Sequence, residues 1–582
     1  MNAASETAGV GGGIGATPRR TGSLRREIGF IGLLWASGGS IIGSGWLFGA
    51  RNALEYAGPA AVISWAIGAL AIFLLALTHA ELGGMWPVSG GTARFPHVAF
   101  GGAAGASFGW FSWLQAATVA PIEVLAMITY GTHYHWARSF EKSNGVLTAQ
   151  GIAVAVGLMA VFTAINFLGV RKLAHTNSAA TWWKIGIPLL AIFVVGFSDF
   201  HTSNFSTHLV SGPGGFMPFG AKGILAAIST SGIIFALLGF EQADQLAGES
   251  ARPQRDIPRA VIMSVIIGAI VYVALQVVFL GGLPHSAIAG GWTKGAYTAF
   301  SGPWANLASL LALGWLATIL YLDAVISPGG TGLIYTTSTS RVSYGLSRNG
   351  YYPAIYEATD SRAVPWFGLI TAFVVGCVCF LPFPSWQSLV GLITGASVLM
   401  YAGAPLAFGA FRHRLPNAAR PYRAPFGEVL APLAFIVANL LILWTGWHTD
   451  VRLGVAILIG YVVLVVTRAL GLNTHSPQLD PRAASWLLPY LIGLGAIVYV
   501  SDWNPGGGAT PTGPNWIPEW WDIGAVAVFS VIIYYWAMMV ALPRERIEQM
   551  IEDVVLPEEE GIGGSQPAPA PAADGPGPAP SA

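Results

Sequence analysis

The sequence predicts an all-α polytopic membrane protein, on three observations. Hydrophobic residues make up 54% of the 582 and charged residues only 10%, against about 25% charged in soluble proteins. Mean hydropathy is +0.59. Apolar segments long enough to cross about 30 Å of hydrocarbon recur along the whole chain. They lie near residues 28–50, 60–80, 103–130, 147–168, 178–198, 221–247, 258–282, 306–340, 364–382, 386–411, 429–447, 453–470, 483–500 and 522–542. That makes fourteen transmembrane helices, with twelve as the fallback, since the thirteenth segment is the shortest and contains Pro489.

Residues 1–24 are rich in Gly, Ala, Ser and Thr with no apolar core, so they read as a disordered cytoplasmic arm rather than a signal peptide or a span. Lys and Arg collect on the cytoplasmic flanks of membrane helices. With the N-terminus inside, most of the 28 Lys and Arg fall on the cytoplasmic side, including Arg19, Arg20, Arg25 and Arg26 before span 1 and Arg412, Arg414, Arg420 and Arg423 after span 10. Both termini are therefore expected in the cytoplasm, in a plasma or inner membrane. A net charge of zero conceals this sidedness.

Span 1 carries its weakest stretch at its centre: Gly38-Gly39-Ser40-Ile41-Ile42-Gly43-Ser44-Gly45-Trp46, four glycines and two serines in nine residues. Each glycine costs roughly 1 kcal/mol of helix propensity, and bare backbone in hydrocarbon costs several more, so protein or bound solute must satisfy it. Span 6 has a second such stretch, Ser231-Gly232-Ile233-Ile234-Phe235-Ala236-Leu237-Leu238-Gly239-Phe240-Glu241. Glycines in membrane helices also serve close packing. Interruptions at the first and sixth spans, however, are corresponding positions of two five-helix halves, the pattern of an inverted-repeat transporter with a midplane site.

Ser89-Gly90-Gly91 between spans 2 and 3 suits a tight cytoplasmic turn, and Asp256 with Pro258 suits the start of span 7. Only two cysteines occur, Cys377 and Cys379 in span 9. Two positions apart on a helix they point about 200° apart, which suits neither a disulfide nor a shared metal. No phosphate-binding Gly-Lys loop, nucleophile elbow or zinc-binding His pair is present, so neither an ATP-driven pump nor a membrane hydrolase has support. We expect no enzyme, no cofactor, no metal and no nucleic-acid partner. The Pro-rich stretch 415–425 reads as a basic loop. Residues 543–560 read as an amphipathic cytoplasmic helix with Ile547, Met550, Ile551 and Val554 at helical spacing, and the Pro-Ala-Gly tail from Gln566 as disordered.

Three signatures together carry a resemblance: Gly39 to Trp46, the Trp86-Pro87-Val88-Ser89-Gly90-Gly91 loop, and Gly248-Glu249-Ser250 through Arg255-Asp256-Ile257-Pro258-Arg259. The chain resembles the amino acid-polyamine-organocation permease superfamily over roughly residues 25–470. Asp323-Ala324-Val325-Ile326-Ser327-Pro328 and the glycines after it resemble its aspartate-proton symporter-like bacterial branch. The resemblance implies a ten-helix LeuT-like core over 25–411, with spans 1–5 and 6–10 related by inverted pseudo-symmetry and spans 1 and 6 discontinuous. Residues 412–542 would then be accessory spans 11–14, and 543–582 a cytoplasmic segment.

An amino acid brings a carboxylate, which needs donors, and an ammonium, which needs acceptors, and unwound helices offer both. The amides of Ser44 and Gly45, with the Ser44 hydroxyl, open a half-helix and suit the carboxylate. The carbonyls near Ser40 and Ile41 suit the ammonium, and the intervening Ile42 and Gly43 belong to the same stretch. By resemblance, Phe235 and Leu238 contribute carbonyls, with the Phe235 ring an aromatic gate. Lys184 is the one basic residue placed inside a span, in Trp182-Trp183-Lys184-Ile185-Gly186-Ile187-Pro188. A buried lysine that can lose its proton is a coupling device, and the resemblance implies that role, with snorkelling to the interface as the alternative. Among the intramembrane acids, Glu241 resembles a family glutamate tied to pH-dependent gating, and Asp323 is a candidate for a second proton. Glu123 and Asp244 are open between pathway and packing roles, and Glu81 and His79 are expected to be solvated near the cytoplasmic interface. The expected function is secondary active, proton-coupled amino acid import by alternating access, with an acidic amino acid among the candidate substrates. An exchanger, or a non-transporting amino acid sensor, is the alternative.

Overall fold

The computed structural model describes residues 28–87, 91–168, 170–206, 212–362, 364–383, 385–474, 476–503, 514–518 and 520–554. The N-terminal arm, Ser89 and Gly90, and the C-terminal tail lie outside the described residues. Each predicted span contains helix. Span 1 is α1 (Phe30–Ile41) and α2 (Gly45–Ala57), separated by Ile42–Ser44, and span 2 is α3 (Ala61–Met85). A helix the sequence reading passed over, α4 (Gly91–Phe100), precedes α5 (Gly102–Gly131), and α6 (Ala149–Phe167) and α7 (Val170–Gly196) follow. Span 6 breaks into α8 (Gly220–Thr230), the single turn α9 (Ile233–Ala236) and α10 (Gln242–Gln245). Then come α11 (Pro253–Gly282), the short α12 (His285–Ile288) and α13 (Pro303–Leu310), and α14 (Gly314–Arg348). The rest is α15 (Trp366–Cys379), α16 (Trp386–Arg414), α17 (Gly427–Leu443), α18 (Trp447–Ala469), α19 (Leu487–Val500), α20 (Trp521–Val540) and α21 (Arg544–Val554).

Eight helical stretches among the described residues are long and apolar enough to cross a membrane, and shorter apolar helices accompany them. The architecture is that of a multi-pass membrane protein. Packing joins elements five spans apart: α1 lies on α10 and α2 on α8, α3 on α11, α5 on α14, and α6 on α15. Between α5 and its neighbours almost every residue is buried, so that helix forms the centre of the bundle.

The peripheral helices differ. On α18 only Leu453, Gly460 and Thr467 are buried, seven residues apart, while Val455, Leu458, Ile459, Val462 and Val465 face outward. A seven-residue spacing returns to one helix face, so α18 packs through a narrow stripe and presents the remaining apolar surface to lipid. The later helices are tied by one polar chain, in which Tyr490 of α19 donates to Asn439 of α17 and Asn439 donates to Ser530 of α20 (2.7 and 2.9 Å). In α21, Ile547 and Met550 are buried and the helix lies on α4.

Candidate functional site

The two interruptions meet because glycine lets them. A methyl at Gly45 would sit 2.7 Å from the Ala236 Cα, and one at Gly239 2.8 Å from the Ile41 nitrogen. Real Cβ atoms do not approach so closely, so the backbones of spans 1 and 6 cross in contact at two points. Gly232 and Gly239 also adopt positive φ (99° and 120°), which side chains rarely tolerate, and these angles end α8 and turn the chain toward α10.

At the first break α1 stops at Ile41, and the Ile42 amide still reaches the Gly38 carbonyl (3.1 Å). The next donor, the Ser44 amide, is received by Glu123 Oε2 of α5 at 2.9 Å, and the Ser44 hydroxyl accepts the Trp386 indole N–H of α16 at 3.0 Å. The carbonyls released on the other side are also taken. Ile41 accepts from the Tyr272 hydroxyl (2.8 Å), and Gly39 accepts from the Lys184 ammonium, which donates as well to the Thr331 hydroxyl at 2.6 Å. Lys184 is fully buried and directed at the break, so it does not snorkel to the interface.

Six of the eight expected substrate-binding residues, Ser40, Ile41, Gly43, Gly45, Phe235 and Leu238, line one small cavity, together with Val119, Glu123, Thr331 and Tyr335. Ile42 and Ser44 belong to the same break without lining that cavity: the Ile42 carbonyl accepts from the Thr331 hydroxyl (3.5 Å) and the Ser44 hydroxyl from Trp386. The Phe235 ring packs edge-on against Trp386 (5.8 Å), which also lies on Phe48 (4.9 Å), an aromatic cover contributed by three helices. Gly43 has no room for a side chain, since a methyl there would meet Glu123 Oε1 at 2.6 Å and the Thr331 hydroxyl at 3.0 Å.

The acids fall into different environments. Glu241 accepts four donors, Tyr401 (2.5 Å), the Gly239 amide (2.9 Å), Tyr335 (3.1 Å) and Gln115 (3.4 Å), so it pins the end of the second break to α5, α14 and α16. Asp323 accepts the Trp183 indole N–H (2.9 Å) and the Ser327 hydroxyl (2.6 Å), which places it beside the Lys184 segment of α7 and leaves Oδ2 unpartnered. Glu123, left open in the sequence, stands at the centre: it holds the Ser44 amide, lines the cavity and interacts with the Lys184 charge, and its Oε1 has no hydrogen-bond partner. Trp386, Thr331, Tyr335 and Tyr401 were not foreseen, because nothing in linear order ties them to either break.

Glu81 and His79 correct the sequence expectation, for both are buried rather than solvated at an interface. Glu81 receives Arg412 through two nitrogens (3.0 and 2.6 Å), Arg420 (3.2 Å) and the Ala424 amide (2.8 Å). Two arginines from the far end of α16 and its following loop thus supply what water was expected to supply. Cys377 is half-buried and Cys379 buried, and both are free.

Two interrupted helices crossing at a cavity of mixed polarity inside an apolar bundle are the pattern of membrane transporters with a solute site at such breaks. Sequence comparison gives the family. The amino acid permease family profile matches residues 28–473. The chain is 34% identical to the glutamate/serine transporter AimA of Bacillus subtilis over 91% of this chain and 96% of that protein. It is 32% identical to the aspartate-proton symporter of the same organism over 91% and 99%, and 26% identical to its branched-chain amino acid permease BcaP over 76% and 92%. The chain belongs to the amino acid permease family and is an amino acid transporter.

Proposed function

We propose that this protein imports an acidic amino acid together with protons, by alternating access to the site between its two interrupted helices. The observation that carries the reading is Lys184: a fully buried ammonium bound to the Gly39 carbonyl and Thr331 at the first break, with the Glu123 carboxylate acting on it. A charge on that nitrogen holds α1, α7 and α14 together, and its loss would release the Gly39 carbonyl and Thr331. Proton loss and release of the helices are thereby one event. The names of the two relatives above 30% identity, for glutamate and serine and for aspartate with protons, support the substrate class and the coupling.

In this reading all fourteen spans cross the membrane, residues 25–411 form a five-plus-five inverted repeat, and both termini are cytoplasmic. Packing of α1 on α10, α3 on α11, α5 on α14 and α6 on α15 supports the repeat. The clustering of Arg412, Arg414, Arg420 and Arg423 at one end of α16 supports the orientation. Ser40, Ile41, Ile42, Gly43, Ser44, Gly45, Phe235 and Leu238 would receive the substrate. The Ser44 amide and hydroxyl would exchange Glu123 and Trp386 for the substrate carboxylate. Lys184, Glu241 and Asp323 would serve coupling, with Glu241 fixing the second break while the others change charge.

The test is uptake of radiolabelled aspartate, glutamate and serine into proteoliposomes with and without an imposed inward proton gradient. Accumulation of aspartate or glutamate above equilibrium only with the gradient is the expected result. Uptake that ignores the gradient and requires amino acid inside makes the protein an exchanger.

A further inference from the structure

Asp244 is a buried acid to which the coupling scheme above gives no work. It lies in α10, one helical turn beyond Glu241, is fully inaccessible to solvent, and neither carboxylate oxygen has a hydrogen-bond partner. The contrast with Glu241, which accepts four donors, is sharp. A carboxylate stripped of water without donors costs far more than a neutral carboxylic acid in the same place. The carboxyl group is held against Gly83 of α3, where a methyl would land on its Oδ1, and Ile257 of α11 closes the same spot.

Among the described residues no basic side chain bonds it. Glu241 is the charge that acts on it. Of the elements packed on α10, α1 carries no titratable residue, and α3 carries His79, bonded to the Leu75 carbonyl, and Glu81, held by Arg412 and Arg420. On α4 stand Arg94 and His97, the latter bonded to the Tyr351 hydroxyl (2.6 Å), and on α11 Arg255, Asp256 and Arg259. The turn Ala247–Glu249 brings Glu249, which pairs with Arg341 (3.4 Å). None of these bonds the Asp244 side chain.

The element that carries it is tied to the first half-helix. The Ser37 hydroxyl of α1 donates to the Phe240 carbonyl (3.0 Å) and accepts the Ala243 amide (3.1 Å), a two-way stitch between α1 and the start of α10. Glycine at position 83 leaves on α3 the space that the Asp244 carboxyl group fills.

We propose that Asp244 is a second proton-carrying group, neutral while α10 is closed on α3 and ionised when α1 and α10 swing away together and admit water from the basic end of the bundle. The O–H bond of the carboxyl group breaks and its proton passes to that water, leaving the carboxylate. Asp244 is thus the release point for the coupled proton, at the end opposite its entry. The inference rests on the proton-coupled reading and on the orientation given with it.

Accumulation of radiolabelled aspartate in proteoliposomes, with the external pH fixed and the internal pH stepped, tests it on wild type and Asp244→Asn. Counterflow exchange, which needs no net proton release, is measured on the same preparations. In wild type, accumulation falls as the interior is acidified. In Asp244→Asn, exchange persists and accumulation drops to the equilibrium level at every internal pH. Should the asparagine variant fail to fold, as shown by absent exchange, Asp244→Ser reads the same quantity. An exchanging neutral variant that accumulates like wild type, with the same dependence on internal pH, overturns the proposal. A wild type that ignores the gradient defeats the symport reading itself, which separates the two failures.

Discussion

Two clusters of buried charge in this protein look alike in sequence and differ in structure. At the basic end of α3, both oxygens of Glu81 are satisfied, by Arg412, Arg420 and the Ala424 amide. Around the helix breaks Glu241 is saturated as well, but Glu123, Asp323 and Asp244 each keep at least one oxygen without a partner, although all three are fully buried. A cluster that only holds helices together can be completed, because it adopts one arrangement. A site that must bind a solute, take up protons and open cannot be completed by protein alone, since each completed bond is one that opening would have to break. In the proposed reading the orphaned carboxylate oxygens beside the glycine-rich breaks belong to the working site, and the Glu81 cluster is a fixed joint.

The largest effect is expected where the two breaks touch. Gly43→Ala would drive a methyl into Glu123 and Thr331, and Gly45→Ala into the Ala236 backbone. Overpacking of this kind costs about 1–3 kcal/mol where neighbours can yield, and the Ala236 backbone cannot. Substrate-stimulated thermal stabilisation should vanish in Gly45→Ala and transport with it; normal uptake by that variant would show that the helices do not cross in contact.

Next comes the fixed joint. Glu81→Ala leaves two guanidinium groups without their carboxylate, and breaking a buried pair costs about 3–5 kcal/mol. The lower end applies here, since the Arg412 side chain is 17% exposed. A marked fall in melting temperature with an unchanged ratio of accumulation to gradient is the expected pair of results. A stable but uncoupled Glu81→Ala protein would place this cluster among the working groups.

The opposite pair is expected for Glu123→Gln. Glutamine keeps the volume and an accepting oxygen for the Ser44 amide but leaves the Lys184 ammonium without its carboxylate, so the melting temperature falls less than in Glu81→Ala, while gradient-driven accumulation is lost and substrate binding strengthens as the Ser44 amide loses its charged competitor. Fluorescence-detected melting alongside uptake reads both. The smallest effect belongs to the structural acceptor at the second break: Tyr401→Phe removes one of four donors to Glu241, worth about 1 kcal/mol, and should lower the melting temperature slightly without changing the pH profile of uptake.

Sequence alone revealed much of this, and the reasons are physical. Interrupted spans are legible because glycine runs are costly in a membrane helix and survive only where something repays them, so residues 38–46 and 231–241 announced both breaks. Lys184 was legible because a lone basic residue inside an apolar segment is conspicuous. Position, however, could not give the roles of Glu81 and Glu123: it suggested interface solvation for the first, which is buried, and left the second open. Each is a single acid in an apolar helix, and the partners that separate them, Arg412 and Arg420 for one and the Ser44 amide for the other, lie 331, 339 and 79 residues away. Trp386 and Tyr401 were invisible for the same reason, since aromatic residues are ordinary in membrane helices until a tertiary contact gives them a task.

The most direct test of the account measures proton and substrate flux together, with a pH-sensitive dye inside proteoliposomes and radiolabelled aspartate outside, in wild type and Lys184→Ala. Aspartate entry is expected to acidify the lumen in wild type, and in Lys184→Ala the acidification disappears while substrate still binds. Acidification per substrate unchanged in the alanine variant would contradict it, and would move proton coupling away from the first helix break.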